Sequence, residues 1–445
     1  MTTLKKVAID LVPMLPGATN GGAKIFILEL IDTLSTIAPE VQFLLLTRRS
    51  SHDELARLDR SNLKRKLVWD DTNGESAPSG ASLGKIAAGT SLIRMTVEKK
   101  VRAFLARLLL RVRHLLVEIR RRAPQRASAG TDADTVADLL FCPFTGSTFF
   151  DLPMPTVVVI YDLQYQTYPQ FFTSAENAER DLNFRSSSQK SALVTISEFV
   201  RSTVIAHQFV DKAAVFPIHI RTAKRLPRIE PRQRDLILQN LGLQCENYLL
   251  YPANFWQHKN HEMLLTAFAM ARQSGLPAGM KLICTGAPGP RMQAVSAAAK
   301  ALGVHHCVLF PGFLTDIEFA AVLGSCIGVI YPSLYEGFGM PILEAMAAGC
   351  PVACGDRTSL PEVAGGAALL FDPRKPRDVA DAMVRIALDP QLRADLIERG
   401  DRRAQAFCDS KEMAHQYLTV FKFALATWQK SNNLARMAGR VALST

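Results

Sequence analysis

Hydrophobic and polar positions alternate along the first half of the chain in two rhythms. Residues 6–12 form a short apolar run with a β-branched bias, 16–22 form a loop rich in Gly and Pro, and 23–36 place Ile27, Leu30, Ile31 and Leu34 at helical spacing. Further short apolar runs at 41–47, 138–142, 156–161, 192–196 and 214–218 predict strands, with helices between several of them. Residues 219–235 break the rhythm: Arg221, Lys224, Arg225, Arg228, Arg232 and Arg234 mix with Pro227 and Pro231, the pattern of a linker. The alternation then restarts. Strands are predicted at 248–252, 280–285, 308–311, 328–331, 351–354 and 368–371, and helices at about 260–274, 290–302, 315–324, 341–348, 376–388, 391–405 and 411–430. Short strands that are apolar throughout and separated by amphipathic helices make parallel sheets covered on both faces.

The expected fold is α/β, with two doubly wound Rossmann-like units facing a cleft. The first spans 1–220 with an insertion at about 72–135, the second spans 236–410, and 411–445 is a helix expected to cross back to the first unit. Ligands of such sheets bind beyond the carboxyl ends of the strands, which directs attention to the cleft.

The insertion changes the picture of the charge. The chain has 445 residues and a formal charge of +11, but 91–126 alone carry eleven Lys and Arg against Glu98 and Glu118. The basic balance is therefore local and argues against a general nucleic-acid partner. Leu92, Ile93, Val97, Val101, Phe104, Leu105, Leu108, Leu109, Val112, Leu115, Leu116 and Ile119 advance in steps of three and four, with cations opposite. That predicts an amphipathic helix over 91–122. It either lies on an anionic membrane surface or packs on the first sheet with a solvated basic face.

Apolar residues make up 48% and charged residues 21%, which excludes global disorder and fibrous classes. No run approaches the ~18 apolar residues of a spanning helix, and the apolar run at 7–9 is too short for a signal peptide. The expected location is cytoplasmic, with peripheral attachment to the inner face of the plasma membrane if the basic helix is a membrane element. The eight Cys form no CxxC pair, so neither zinc nor a disulfide framework is indicated, and buried or half-buried thiols are expected.

The densest chemistry lies at 331–346. A strand ends near Tyr331, and Pro341 opens a helix after Gly337, Phe338, Gly339 and Met340. Free N–H groups at such a helix start suit a diphosphate, and the glycines allow close backbone approach. Glu336 and Glu344 flank that anion site, where sugar hydroxyls can donate to them. Asn254, His258, Lys259 and Asn260 open another helix, and Lys259 is a point charge suited to phosphate. Tyr161 and Asp162 follow a buried strand, where Asp162 either orients neighbours and acceptor or caps the strand end. Gly17 and Gly22 have P-loop spacing, but Ala23 stands where Lys is required, so an ATPase is rejected. Gly21 and Gly22 still open a helix and let the backbone approach a diphosphate or acceptor. Asp132 and Asp134 have DxD spacing but lie in a Ser/Ala/Gly-rich arm, so no metal site is assigned.

The segment EGFGMPILEAMAAGCPVA resembles the E-x7-E hallmark of retaining GT-B glycosyltransferases of family 4, with Glu336 and Glu344 as the two acids. SLPEVAGGAALLFDP (359–373), PGFLTDIEFAAVL (311–323), NFWQHKNHEMLLTAF (254–268), Tyr161-Asp162-Leu163 with Pro169, 195–199 and the Gly21-Gly22 loop extend the resemblance. It implies that Glu344 binds the nucleotide ribose, Glu336 the donor sugar, and the amides of Phe338 to Met340 the donor. Lys259 would neutralise the leaving diphosphate, with His258 where relatives more often have Arg. Tyr161 stands where relatives mostly have His, and a phenol is no base near neutral pH.

The implied activity is hexose transfer with retention, without a bound metal or other cofactor, from a nucleotide-sugar to a saccharide or polyprenyl-linked acceptor. The wording resembles bacterial O-antigen and exopolysaccharide enzymes, which suggests GDP-mannose. Two rivals stay open on sequence: a GT-B epimerase or phosphorylase, and a non-enzymatic membrane or nucleic-acid adaptor.

Overall fold

The computed structural model describes residues 3–17, 20–71, 137–149, 152–222, 224–287 and 289–442, with side chains to 433 except at position 290. The basic stretch 91–126 and the pair Asp132 and Asp134 lie outside the described residues.

The first sheet has seven parallel strands in the order β3-β2-β1-β4-β5-β6-β7. These are β1 (Lys6–Asp10), β2 (Gln42–Arg48), β3 (Leu63–Trp69), β4 (Leu139–Cys142), β5 (Thr156–Ile160), β6 (Ala192–Thr195) and β7 (Val215–Pro217). The second has six, also parallel, in the order β10-β9-β8-β11-β12-β13. They are β8 (Tyr248–Pro252), β9 (Lys281–Thr285), β10 (Val308–Gly312), β11 (Gly328–Tyr331), β12 (Val352–Gly355) and β13 (Leu369–Phe371). β4, β5, β8 and β11 are buried at every position, as strands covered on both faces must be. In each sheet the order reverses beside the first strand, between β1 and β4 and between β8 and β11. There the carboxyl ends leave a crevice.

Several helices position the cleft. They are α1 (Gly21–Ile37), α2 (Glu198–Ile205), α3 (His261–Gln273), α4 (Asp316–Leu323), α5 (Met340–Ala347), α6 (Leu360–Ala364) and α7 (Ser410–Ala442). α7 returns to the first sheet. Tyr417 and Phe421 pack on Phe141 at 5.6 and 5.1 Å between ring centroids, and Phe423 packs on Phe216 at 4.9 Å. The chain therefore crosses between the two units twice.

One strand is added to those expected, and one local reading is corrected. β3 was not expected, because Leu63-Lys-Arg-Lys-Leu carries too many cations to read as a strand; its place at a sheet edge explains them, since edge charge blocks further pairing. The linker expected over 219–235 ends sooner. A helix spans Pro231–Asn240, with Pro231 in the first turn, where a missing N–H costs nothing. The thiols also divide differently from expectation: Cys245 and Cys408 are exposed, and the rest are buried.

Candidate active site in the cleft

The site is assembled from strand ends. After β11, Ser333 to Gly339 form a loop that enters α5 through Gly339, whose φ of 107° is costly for any side chain. Ser359 donates to the carbonyls of Glu336 and Phe338, both at 2.9 Å, and the Glu336 N–H donates to Thr358 Oγ1 at 3.1 Å. The loop is thus held from α6 rather than by its own turns. The His258 carbonyl accepts from the Leu334 N–H at 2.8 Å, and the Asn260 side chain, on a left-handed residue at φ 64°, donates to the Pro332 and Pro373 carbonyls at 3.1 and 2.8 Å. These bonds tie the segment after β8 to the segment after β11.

That tie brings Lys259 onto Glu336. Lys259 Nζ lies 2.6 Å from Glu336 Oε1 and 3.4 Å from the Tyr331 hydroxyl. Burial alone would favour a neutral Glu336; the charge of Lys259, the nearby His258 and hydrogen bonds from Lys259 and Ser333 together outweigh it, and the carboxyl is held below its usual range. His258 responds in the opposite sense. Burial, aided by Lys259, pulls its pKa down to about 3, so it is a neutral imidazole at physiological pH. Of the expected pair, then, only Lys259 brings a positive charge to a diphosphate.

Glu344 lies one turn into α5 and is buried, which raises its carboxyl pKa. Its partner is Arg225, whose Nε is 2.6 Å from Glu344 Oε1 and whose Nη1 is 2.8 Å from Asp316 Oδ1. Arg225 and Asp316 were missed by sequence reasoning. One arginine among several in a Pro-rich linker carries no signal of its own.

The first unit supplies the facing wall. Asp162 follows β5 and accepts from the Gln164 N–H at 2.9 Å, a strand-end cap, while burial raises its pKa and both Glu336 and Lys259 lie within electrostatic reach. The Tyr161 ring stands edge-on to Phe26 at 6.4 Å, and its buried hydroxyl has no hydrogen-bond partner among the described residues. It is the Tyr161 carbonyl that meets the other unit, since a Cβ on Gly337 would lie 2.1 Å from it. A Cβ on Gly22 would lie 3.2 Å from Met340 Sδ, so the opening of α1 faces the opening of α5. Lys24, one residue past the P-loop position, donates instead to the carbonyls of Leu15 and Gly17 at 3.1 and 2.8 Å and bridges to Glu54 at 2.6 Å. It holds the loop that carries Gly21.

Direct bonds close the rest of the interface. Ser197 Oγ donates to the Gly337 carbonyl at 2.7 Å. Glu362 accepts from the N–H groups of Glu198 and Phe199, both at 2.8 Å, and lies 2.6 Å from His219 Nε2. A carboxylate of the second unit therefore caps α2 of the first. Sequence reasoning had marked 197–199 and 359–373 as motifs but could not pair them.

Glu336, Glu344, Lys259, His258 and the amides of 337–340 thus converge on the start of α5, with Tyr161, Asp162, Gly21 and Gly22 across the cleft. Among the described residues no group of three or more His, Cys, Asp or Glu could hold a metal ion, and no helix is long and apolar enough to cross a membrane.

Residues 233–403, which hold both acids, match the family model described as glycosyl transferases group 1. The chain carries a glycosyl transferases group 1 domain. Among sequence relatives is the O-antigen chain mannosyltransferase B of Escherichia coli, 27% identical over 258 residues, covering 56% of this chain and 66% of that one. The serotype-specific mannosyltransferase WbdA of the same organism is 26% identical over 260 residues, covering 55% of this chain and 31% of that one. The chain thus spans less than two thirds of these curated relatives. Among solved structures, Anabaena Alr3699/HepE in complex with UDP and glucose superposes with a TM-score of 0.65 at 17% identity, covering 94% of this chain and 99% of that one. WaaG, a glycosyltransferase involved in lipopolysaccharide biosynthesis, gives 0.60 at 16% identity, with 93% and 99% covered. The group 1 domain and the unit before it together have the GT-B fold.

Proposed function

We propose that the protein is a retaining glycosyltransferase that moves a hexose, mannose from GDP-mannose, to a saccharide or polyprenyl-linked saccharide in bacterial surface-polysaccharide synthesis. The observation that carries this reading is the Lys259–Glu336 pair, 2.6 Å apart before the start of α5, with Glu344 one turn into it. The mannosyltransferases among the relatives support the sugar, and a UDP-bound neighbour of the same fold supports a nucleotide donor.

On this reading the donor diphosphate lies at the amino end of α5, where free N–H groups and the helix dipole meet it. Lys259 turns from Glu336 toward the phosphate as the C1–O bond to the diphosphate breaks and negative charge develops there. Glu336 is then free to accept from donor hydroxyls. The acceptor oxygen attacks C1 on the same face, and its proton passes to the leaving phosphate oxygen, so no side chain need act as base. His258, neutral, offers one N–H. No metal is required, because Lys259 and the helix end carry the charge. The amphipathic helix expected from sequence over 91–122 would hold the enzyme on an anionic bilayer beside a lipid-linked acceptor.

Incubating the protein with GDP-mannose, UDP-glucose and other nucleotide-sugars, each with a polyprenyl-linked saccharide, tests the reading. Sugar transfer from GDP-mannose that survives EDTA is expected. Transfer lost in EDTA and restored by Mn²⁺ would return Asp132 and Asp134 to the site. Donor consumption without acceptor would point to an epimerase or phosphorylase. Replacing Arg107, Arg111, Arg120 and Arg121 with Gln should reduce flotation with anionic liposomes while transfer to a soluble acceptor is kept.

A further inference from the structure

Arg225 belongs to neither sheet. It sits on the segment that joins the two units, yet its guanidinium is largely buried, with 16% of the side chain exposed. It spends one donor on Glu344 and another on Asp316, at 2.6 and 2.8 Å. Among the described residues it is the one hydrogen-bond partner of the Glu344 carboxylate, and it meets Oε1 alone. Ile220, Thr222, Phe338, Met340 and Leu343 line a narrow slot beside Glu344, and none of them is charged. The groups that set the field at Glu344 are therefore Arg225 from the connecting segment, Asp316 from α4 and the Tyr331 phenol from β11. An acid buried this deeply beside Asp316 would take a proton without a cation against it.

We propose that Arg225 is a positioning residue: it holds Glu344 ionised and turned so that its second oxygen accepts from the ribose of the bound nucleotide. The inference rests on the ribose role given to Glu344 above. Because Arg225 lies on the connecting segment, the nucleotide site is complete only when that segment is seated against α4 and α5. Assembly of the two units and donor affinity are thereby linked through one side chain.

Titration calorimetry with GDP and with UDP between pH 5 and 8 tests this on the wild type, Arg225→Gln, Arg225→Lys, Asp316→Asn and Glu344→Gln. Arg225→Gln should weaken nucleotide binding about tenfold at pH 7, and the pH below which affinity falls should move upward, because Glu344 then protonates earlier. Arg225→Lys keeps the charge and should restore part of that shift. Asp316 is exposed, so Asp316→Asn leaves the fold alone; it frees Arg225 for Glu344 and should move the fall to lower pH. In turnover assays the Arg225 variants should raise the donor KM more than they lower kcat. Arg225→Gln binding as tightly as wild type or tighter, while Glu344→Gln is impaired, would make Arg225 a cover that the nucleotide displaces and overturn the proposal. An unshifted pH profile in Asp316→Asn would overturn it too, even if Arg225→Gln failed to fold. Unimpaired Glu344→Gln would instead remove the ribose role itself, and the positioning role with it.

Discussion

At the residue scale the site is governed by buried charges that stabilise one another. Glu336 is depressed by Lys259, so its contribution to stability is present above the ordinary carboxyl range and is lost only as pH falls through the depressed value. Lys259→Met should reverse the sign. Without the cation, burial raises the Glu336 pKa, and the variant should become more stable on acidification from pH 7 to 5, where the wild type gains nothing from this group. At pH 7 the single variant should lose about 3–5 kcal/mol, the cost of stranding a buried charge, and adding Glu336→Gln should restore most of it. Urea denaturation across pH checks both; parallel profiles for wild type and Lys259→Met would mean that the pair is solvated. Asp10, at the end of β1, offers a contrasting case. Burial raises its pKa to about 6 although it accepts from the Thr148 and Val12 N–H groups at 2.7 and 3.2 Å. Its ionised form costs stability, a cost that grows as pH rises from about 4 to 6. The stability of Asp10→Asn relative to wild type should therefore improve by roughly 2 kcal/mol between pH 4 and pH 7. A difference that is flat with pH would exclude a raised Asp10.

At the element scale the loop from β11 to α5 does the work, and its glycines are there for separate reasons. Gly339 adopts a backbone angle that side chains avoid, whereas Gly337 permits contact with the other unit. A methyl on Gly337 would lie 2.1 Å from the Tyr161 carbonyl and 3.3 Å from Ile196 Cδ1. Gly337→Ala must push the two units apart. Since each unit keeps its own core, the thermal midpoint should move little, while turnover on the proposed donor should fall by at least tenfold, about the effect of displacing reacting groups by an ångström. Wild-type turnover in that variant would mean that the contact is incidental. The same loop shows what periodicity could read. The helix start at Pro341, the glycines and the spacing of Glu336 and Glu344 are local, and they stand as the sequence implied, within one residue. β3 and the early start of the helix at Pro231 were not legible, because an edge strand with three consecutive cations and a proline-started helix both resemble loop in a single sequence.

At the scale of the whole molecule the two units are held by a few polar contacts, by Tyr335 of the second unit packing on Tyr168 and Phe199 of the first, and by the crossing of α7. Glu362 is central, because it caps α2 and binds His219 from the other side of the cleft. Glu362→Ala removes an acceptor from two amides and should cost about 1 kcal/mol at the cap. It should also raise the population of molecules with the cleft open. Trypsin cleavage in the Arg-rich segment 221–234 should then accelerate while the core fragments persist. A cleavage rate equal to wild type would show that the other contacts, Ser197 on Gly337, Tyr335 on Phe199 and the crossing of α7, keep the cleft closed without Glu362. Tyr417 and Phe421 of α7 are buried against the first sheet.

The sequence by itself determined whatever depends on neighbours along the chain: two runs of strand–helix alternation, the glycine-bounded start of α5, and a lysine and two acids of suitable chemistry near strand ends. Only the tertiary structure decided which of these groups meet. Lys259 reaches Glu336 across 77 residues, Arg225 reaches Glu344 across 119, and Ser197 reaches Gly337 across 140. Such pairs are set by how two sheets and a connecting segment pack, and their energy appears only once water is excluded between them. The same packing made His258 a neutral group and turned Tyr161 into the core. The side chains are written in the sequence, but the solvent and charge around each are properties of the fold.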